Sequence, residues 1–108
     1  MDIPEWRRKI DELDRKLVEL LNERARCARE IGRLKQNTNI PIYEPERERT
    51  IYENVRRANG GPLPDRELTR IYERLIDVMR KIQKEEIAPP AAAAHEGGDT
   101  EMEAEVND

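Results

Sequence analysis

The chain has 108 residues, of which 41% are charged and 36% hydrophobic, with no Phe. That length allows one domain at most, and a lone monomer of this make-up buries too little surface, so an oligomer that shares its core is expected. Residues 88–108 carry six acids and no Lys or Arg, which leaves 18 acids against 20 bases in residues 1–87, too even a balance for the basic face of a nucleic-acid binder.

The first element is the stretch from Pro4 to Gln36. Apolar residues recur at Trp6, Ile10, Leu13, Leu17, Leu20, Cys27, Ile31 and Leu34 in steps of three and four, which predicts a long amphipathic helix with a near-heptad seam. Asp2 or Ile3 precedes the first turn, and Pro4 takes the position that proline tolerates best. At about 1.5 Å per residue such a helix is about 50 Å long. It must project beyond its own domain or pair with a copy of itself. The seam has one gap, filled by Arg24 where the rhythm asks for a hydrophobe. Cys27, the only cysteine, lies on the seam, where a buried inert thiol is expected; a single cysteine allows no intrachain disulfide and fits a reducing compartment.

Asn37-Thr38-Asn39 ends this helix, and Ile40-Pro41-Ile42-Tyr43 reads as an extended connector, because proline pushes the residue before it out of the helical region. A second helix opens at Glu44-Pro45 and runs to about Ala58, with Ile51, Tyr52 and Val55 on its apolar face and Glu48 one turn upstream. Asn59-Gly60-Gly61-Pro62 stops it. Asp65 is a suitable cap for a third helix over residues 65–87, with Leu68, Ile71, Leu75, Val78, Met79 and Ile82 inward and Gln83 one turn beyond Met79. Residues 88–108 are small, polar and acidic, and read as a disordered tail that holds His95, the only histidine. No apolar run reaches the length of a membrane span and the N-terminus lacks the apolar core of a signal peptide, so the expectation is a soluble, cytoplasmic all-α domain over 1–87.

Five polar residues fall where apolar ones belong: Arg24, Lys35, Arg47, Glu48 and Gln83. Arg24 and Lys35 are eleven residues apart, about three helical turns, and so face the same way roughly 16 Å from one another. Two such cations can clasp a small dianion. A seam arginine taken alone reads first as half of a structural ion pair with an inward glutamate; the set, with an amide and an acid–base pair from two other helices, favours a pocket. Arg7 lies about 25 Å of helix away from Arg24 and can join such a pocket only from an antiparallel partner, as in a dimer. The core offers no Ser or His nucleophile and no metal-ligand cluster. Cations, one amide and one carboxylate remain, groups that hold a substrate in shape and stabilise developing charge.

Arg7-x-x-Ile10-x-x-Leu13-Asp14, Leu20-Leu21-x-x-Arg24, Gly32-x-x-Lys35, Pro41 followed by Glu46-Arg47-Glu48-Arg49, and the late Gln83 together resemble the all-helical (type II) chorismate mutases over residues 3–87. The resemblance implies three helices, long–short–long, intertwined as a homodimeric bundle with two shared sites and no cofactor or metal. It implies conversion of chorismate to prephenate by a Claisen rearrangement, in phenylalanine and tyrosine biosynthesis. By the same resemblance Arg24 and the second chain's Arg7 grip the two carboxylates with support from Arg47. Lys35 and Gln83 donate to the ether oxygen, and Glu48 accepts from the ring hydroxyl. Glu44 stands where aspartate is common, and Met79 where several members have a serine that contacts a carboxylate. An isochorismate pyruvate-lyase shares the fold and most of the cations, but its substrate lacks the 4-hydroxyl that Glu48 would bind. A regulatory helical dimer docked on a shikimate-pathway synthase is the alternative outside enzymology, and docking in addition to catalysis is compatible with the sequence.

A chain ended at Ile87 is expected to keep its fold and its activity, because residues 88–108 have no apolar periodicity. Circular dichroism and a chorismate assay on the truncated chain check this; loss of most activity would instead assign the tail a role at the pocket.

Overall fold

In the computed structural model, residues 1–87 are described, and they form an all-α arrangement of three helices, α1 (Ile3–Lys35), α2 (Pro45–Ala58) and α3 (Asp65–Ile87). The expected tail, with His95, lies outside the described residues. Among the described residues no helix is long and apolar enough to cross a membrane.

Local chemistry sets each boundary. Asp2 caps α1 through a reciprocal pair of bonds: its Oδ1 accepts from the Glu5 backbone N–H at 3.0 Å, and the Asp2 N–H donates to Glu5 Oε1 at 2.8 Å. At the other end Thr38 closes the helix, with its N–H and its hydroxyl both donating to the Lys35 carbonyl, at 3.0 and 2.9 Å. The Ile40 N–H in turn donates to the Thr38 hydroxyl at 3.1 Å, which turns the connector back. Between α2 and α3, Asn59 Nδ2 donates to the Leu63 carbonyl at 2.8 Å and to Asp65 Oδ1 at 2.7 Å. Asp65 is therefore the first helical residue rather than the expected cap; the Leu68 N–H donates to the Pro64 carbonyl instead.

Both α1 and α2 pack on α3. The face that α1 turns to α3 is not its apolar seam. Its buried residues are Ala28, Gly32 and Lys35, one step around the helix from the seam. Trp6, Leu13, Leu17, Leu20, Ile31 and Leu34 are exposed on the single chain, Leu34 as much as 75%. Cys27, expected buried, is exposed as well. The offset recurs on α3. Ile76 and Met79 are buried, whereas Ile71 and Val78, expected inward, are exposed. Each long helix thus carries two stripes, a narrow one used within the chain and a wider apolar one left open. A contiguous apolar surface of that length marks an interaction face.

The tightest helix contact is at Gly32. A Cβ there would stand 3.0 Å from Gln83 Cα and 3.2 Å from its carbonyl oxygen. Those are backbone atoms, so no side-chain rotation relieves the clash. An Ala in a helix interior gains about 1 kcal/mol over Gly, but overpacking a close contact costs about 1–3 kcal/mol. Gly32→Ala is therefore expected to lower stability, read as a lower urea midpoint at unchanged helix content; a higher midpoint would show that the helices part freely here.

Candidate active site

The C-terminal half of α1, the connector, the first turns of α2 and the C-terminal half of α3 line an open cavity of about 430 Å³. Of the residues expected at a site, Arg24, Lys35, Glu44, Arg47, Glu48, Met79 and Gln83 line it. Arg7 does not; it sits exposed on the second turn of α1, far from the cavity of its own chain.

Lys35 is the organising group. It is only 7% exposed, and its ammonium makes three contacts: Glu44 Oε1 at 2.9 Å, Gln83 Oε1 at 3.3 Å and the Ile42 carbonyl at 3.4 Å. An ammonium has three N–H donors; the Glu44 ion pair offsets the cost of taking the charge from water, while the contact to the Ile42 carbonyl, the longest of the three, is the donor most easily turned to a ligand oxygen. The three acceptors come from the α2 cap, α3 and the connector. Glu44 is the N-cap residue of α2, yet its side chain makes no capping bond, because the carboxylate reaches to Lys35 instead.

The same contacts orient the amide of Gln83. Its oxygen accepts from Lys35, so the NH₂ group is the end left to donate. One ammonium and one amide NH₂ therefore border the cavity side by side. Met79, buried beside Ile76, gives this wall an apolar stretch without a hydroxyl.

The remaining charges fall into two kinds. Glu48, 15% exposed, is paired with Arg80, whose Nε is 3.0 Å from Glu48 Oε2. Arg80 also lies over the Tyr43 ring, 5.3 Å from its centroid. Its Nε is shut off from water with no hydrogen bond, so the carboxylate sits off the N–H direction and the contact is an ion pair only. Arg24 and Arg47, by contrast, have no ion-pair partner among the described residues. Burial, and next the Glu48 carboxylate, pushes the Tyr52 hydroxyl above the ordinary phenol range, so Tyr52 stays neutral.

Four cations and two carboxylates thus line the cavity, and two of the cations are compensated by the two acids. What is left suits a small dianion, held at Arg24 and Arg47, with neutral and cationic donors at Gln83 and Lys35. Sequence reasoning missed Arg80, Ile76 and the cavity-facing position of Cys27. The i, i+3, i+4, i+7 spacing of 76, 79, 80 and 83 was the available signal; the more regular apolar rhythm through 71, 75, 78 and 82 obscured it.

The family described as chorismate mutase type II matches residues 6–84. A bifunctional chorismate mutase/prephenate dehydratase of Aquifex aeolicus is 38% identical over 103 residues, covering 88% of this chain and 28% of its own length. The chain thus spans little more than a quarter of that relative. A chorismate mutase of Methanocaldococcus jannaschii is 34% identical over 84 residues, 77% of this chain and 85% of the relative. Among solved structures, the chorismate mutase of Helicobacter pylori in complex with prephenate superposes with a TM-score of 0.72 at 32% identity, over 79% of this chain and 92% of that one. The described fold and these matches agree: the chain belongs to the type II chorismate mutase family.

Proposed function

We propose that the protein is a chorismate mutase that converts chorismate to prephenate as a homodimer, with each site completed by Arg7 of the second copy. The observation that carries this reading is the Lys35–Gln83 pair, two donors side by side on the wall of a cavity that also holds two uncompensated guanidiniums. Chorismate has two carboxylates, one on the ring and one on the enolpyruvyl arm. Arg24 and Arg47 carry the charge to bind them and to fold the arm over the ring, which converts a flexible molecule into a near-attack conformer.

In the rearrangement the C–O bond breaks ahead of C–C bond formation, so negative charge grows on the ether oxygen. A donor aimed there gains strength in the transition state, and one such donor is typically worth about 10²–10³ in rate. Lys35 and Gln83 are the groups assigned to that oxygen, and Glu48 accepts from the ring hydroxyl. No covalent intermediate is needed. The exposed seam of α1 supports the dimer: Trp6, Leu13, Leu17 and Leu20 form an apolar face that no other described residue covers. An antiparallel copy laid on it would carry its Arg7 toward the cavity. The Helicobacter pylori relative, bound to prephenate, supports the same choice of ligand.

The direct test mixes purified protein with chorismate and follows the loss of its ultraviolet absorbance, with prephenate as the expected product; pyruvate plus a hydroxybenzoate would make it a lyase. Gln83→Glu sharpens this test. The amide donates at any ordinary pH, whereas a carboxyl group donates only when protonated, so the activity of the variant is expected to move to acid pH. A Gln83→Glu profile that matches wild type would remove Gln83 from the reacting oxygen.

The shared site has its own test. Arg7→Ala and Arg24→Ala homodimers are expected to be folded and nearly inactive. When the two are unfolded and refolded together, random pairing in a twofold dimer makes about half the dimers mixed, and in each of these one site regains both arginines; about a quarter of wild-type activity returns. No recovery with mixed dimers present would place both arginines at one chain's site.

A further inference from the structure

Arg80 is the cation of the cavity to which neither the reaction nor the grip on the two carboxylates assigns a task. It follows Met79 on α3 and lies on the side of the helix that also carries Ile76 and Gln83. Two contacts hold it, the Glu48 carboxylate at 3.0 Å and the Tyr43 ring at 5.3 Å. The ring lies under the guanidinium carbon, and the acid lies beside Nε but off its N–H direction.

Glu48 has an unusual state for a carboxylate with so little exposure. Its charge is compensated by Arg80, yet its side chain accepts no hydrogen bond among the described residues. A carboxylate has about four lone-pair sites. It can therefore accept from a ligand hydroxyl without giving up a bond it already makes. Without Arg80, a half-buried acid would lose its counter-charge, which is strongly unfavourable. The remedy at hand is the two uncompensated guanidiniums that line the same cavity, Arg24 and Arg47. Glu48 would then compete with a dianion for the groups that bind it.

We infer that Arg80 is the positioning residue of Glu48: it holds the acid on the α3 side of the cavity, ready to accept from the substrate's ring hydroxyl, and keeps it away from Arg24 and Arg47. This rests on the reading of Glu48 as the acceptor for that hydroxyl. Tyr43, contributed by the connector, is the clamp that keeps Arg80 in place. The device adds no contact to substrate; it reserves two cations for it.

Steady-state kinetics with chorismate on Arg80→Met, Arg80→Lys, Glu48→Gln and the Arg80→Met/Glu48→Gln double variant tests the inference. Arg80→Met is expected to raise KM about tenfold, the size usual when a contacting pair is broken, with a much smaller change in kcat and an unchanged circular dichroism spectrum. Arg80→Lys, which keeps the charge, recovers most of the loss. In the Glu48→Gln background Arg80→Met adds little, because its effect passes through the carboxylate. A structural role alone lowers the number of folded sites, seen as a lower kcat at unchanged KM, and that result overturns the inference. So does a full, additive loss in the Glu48→Gln background. Should Arg80→Met fail to fold, Arg80→Gln carries the same comparison. A Glu48→Gln enzyme with wild-type kcat/KM refutes the role of Glu48 itself, whereas an impaired Glu48→Gln beside a normal Arg80→Met refutes Arg80 alone.

Discussion

The approach of α1 to α3 at Gly32 sets the distance on which the site depends. With no side chain at that position the two backbones come close enough that even a methyl group would press on Gln83 Cα. Lys35, nearly one turn further along α1, is thereby brought to the Gln83 amide at 3.3 Å. Widen the gap by the depth of a methyl group and that hydrogen bond is gone, since such bonds weaken steeply beyond normal length. The ammonium would then be left nearly buried with one acceptor fewer, a costly state for a charged group. Packing and chemistry are the same contact here.

The charges around the cavity divide by partnership. Lys35 is bound to Glu44 and Arg80 to Glu48, at 2.9 and 3.0 Å, so these cations are compensated within the chain. Arg24 and Arg47 are not. The two kinds suit different tasks: a compensated cation is fixed in direction and can aim a donor, while an uncompensated one retains its full attraction for an anion. Ion pairs elsewhere, such as Arg49–Glu46 and Arg74–Asp77 one turn apart on exposed helix faces, contribute little to stability.

Helix number, order and limits were legible because strong local signals mark them: Pro4 and Pro45 at the starts, and Asn59-Gly60-Gly61-Pro62 as a stop. The residues of the cavity were legible because a polar group on the inward side of a helix is costly to bury unless a partner or a pocket receives it, and seven of the expected eight line it. Two things were not. The near-heptad seam of α1 is the strongest apolar signal in the chain, but the face turned to α3 is built from Ala28, Gly32 and Lys35, residues that no hydrophobicity rhythm selects. Close packing of helices calls for small side chains, and a buried lysine follows from its acceptors rather than from its own character. Arg80 was missed for a related reason. An arginine late in a charged helix resembles any solvated one, and only the fold brings Glu48 and Tyr43 to it.

Among the described residues α2 buries none of its own, although it and the residue that caps it supply Glu44, Arg47 and Glu48 to the cavity. Elements with little buried surface open locally at a fraction of the free energy needed to unfold the whole domain. A local opening of α2 would remove three charged groups from the cavity at once and deprive Lys35 of its carboxylate. Amide hydrogen exchange would register this as protection in Pro45–Ala58 that fails well before that of α3. The arrangement of charges around the cavity is thus only as durable as the least anchored of the three helices.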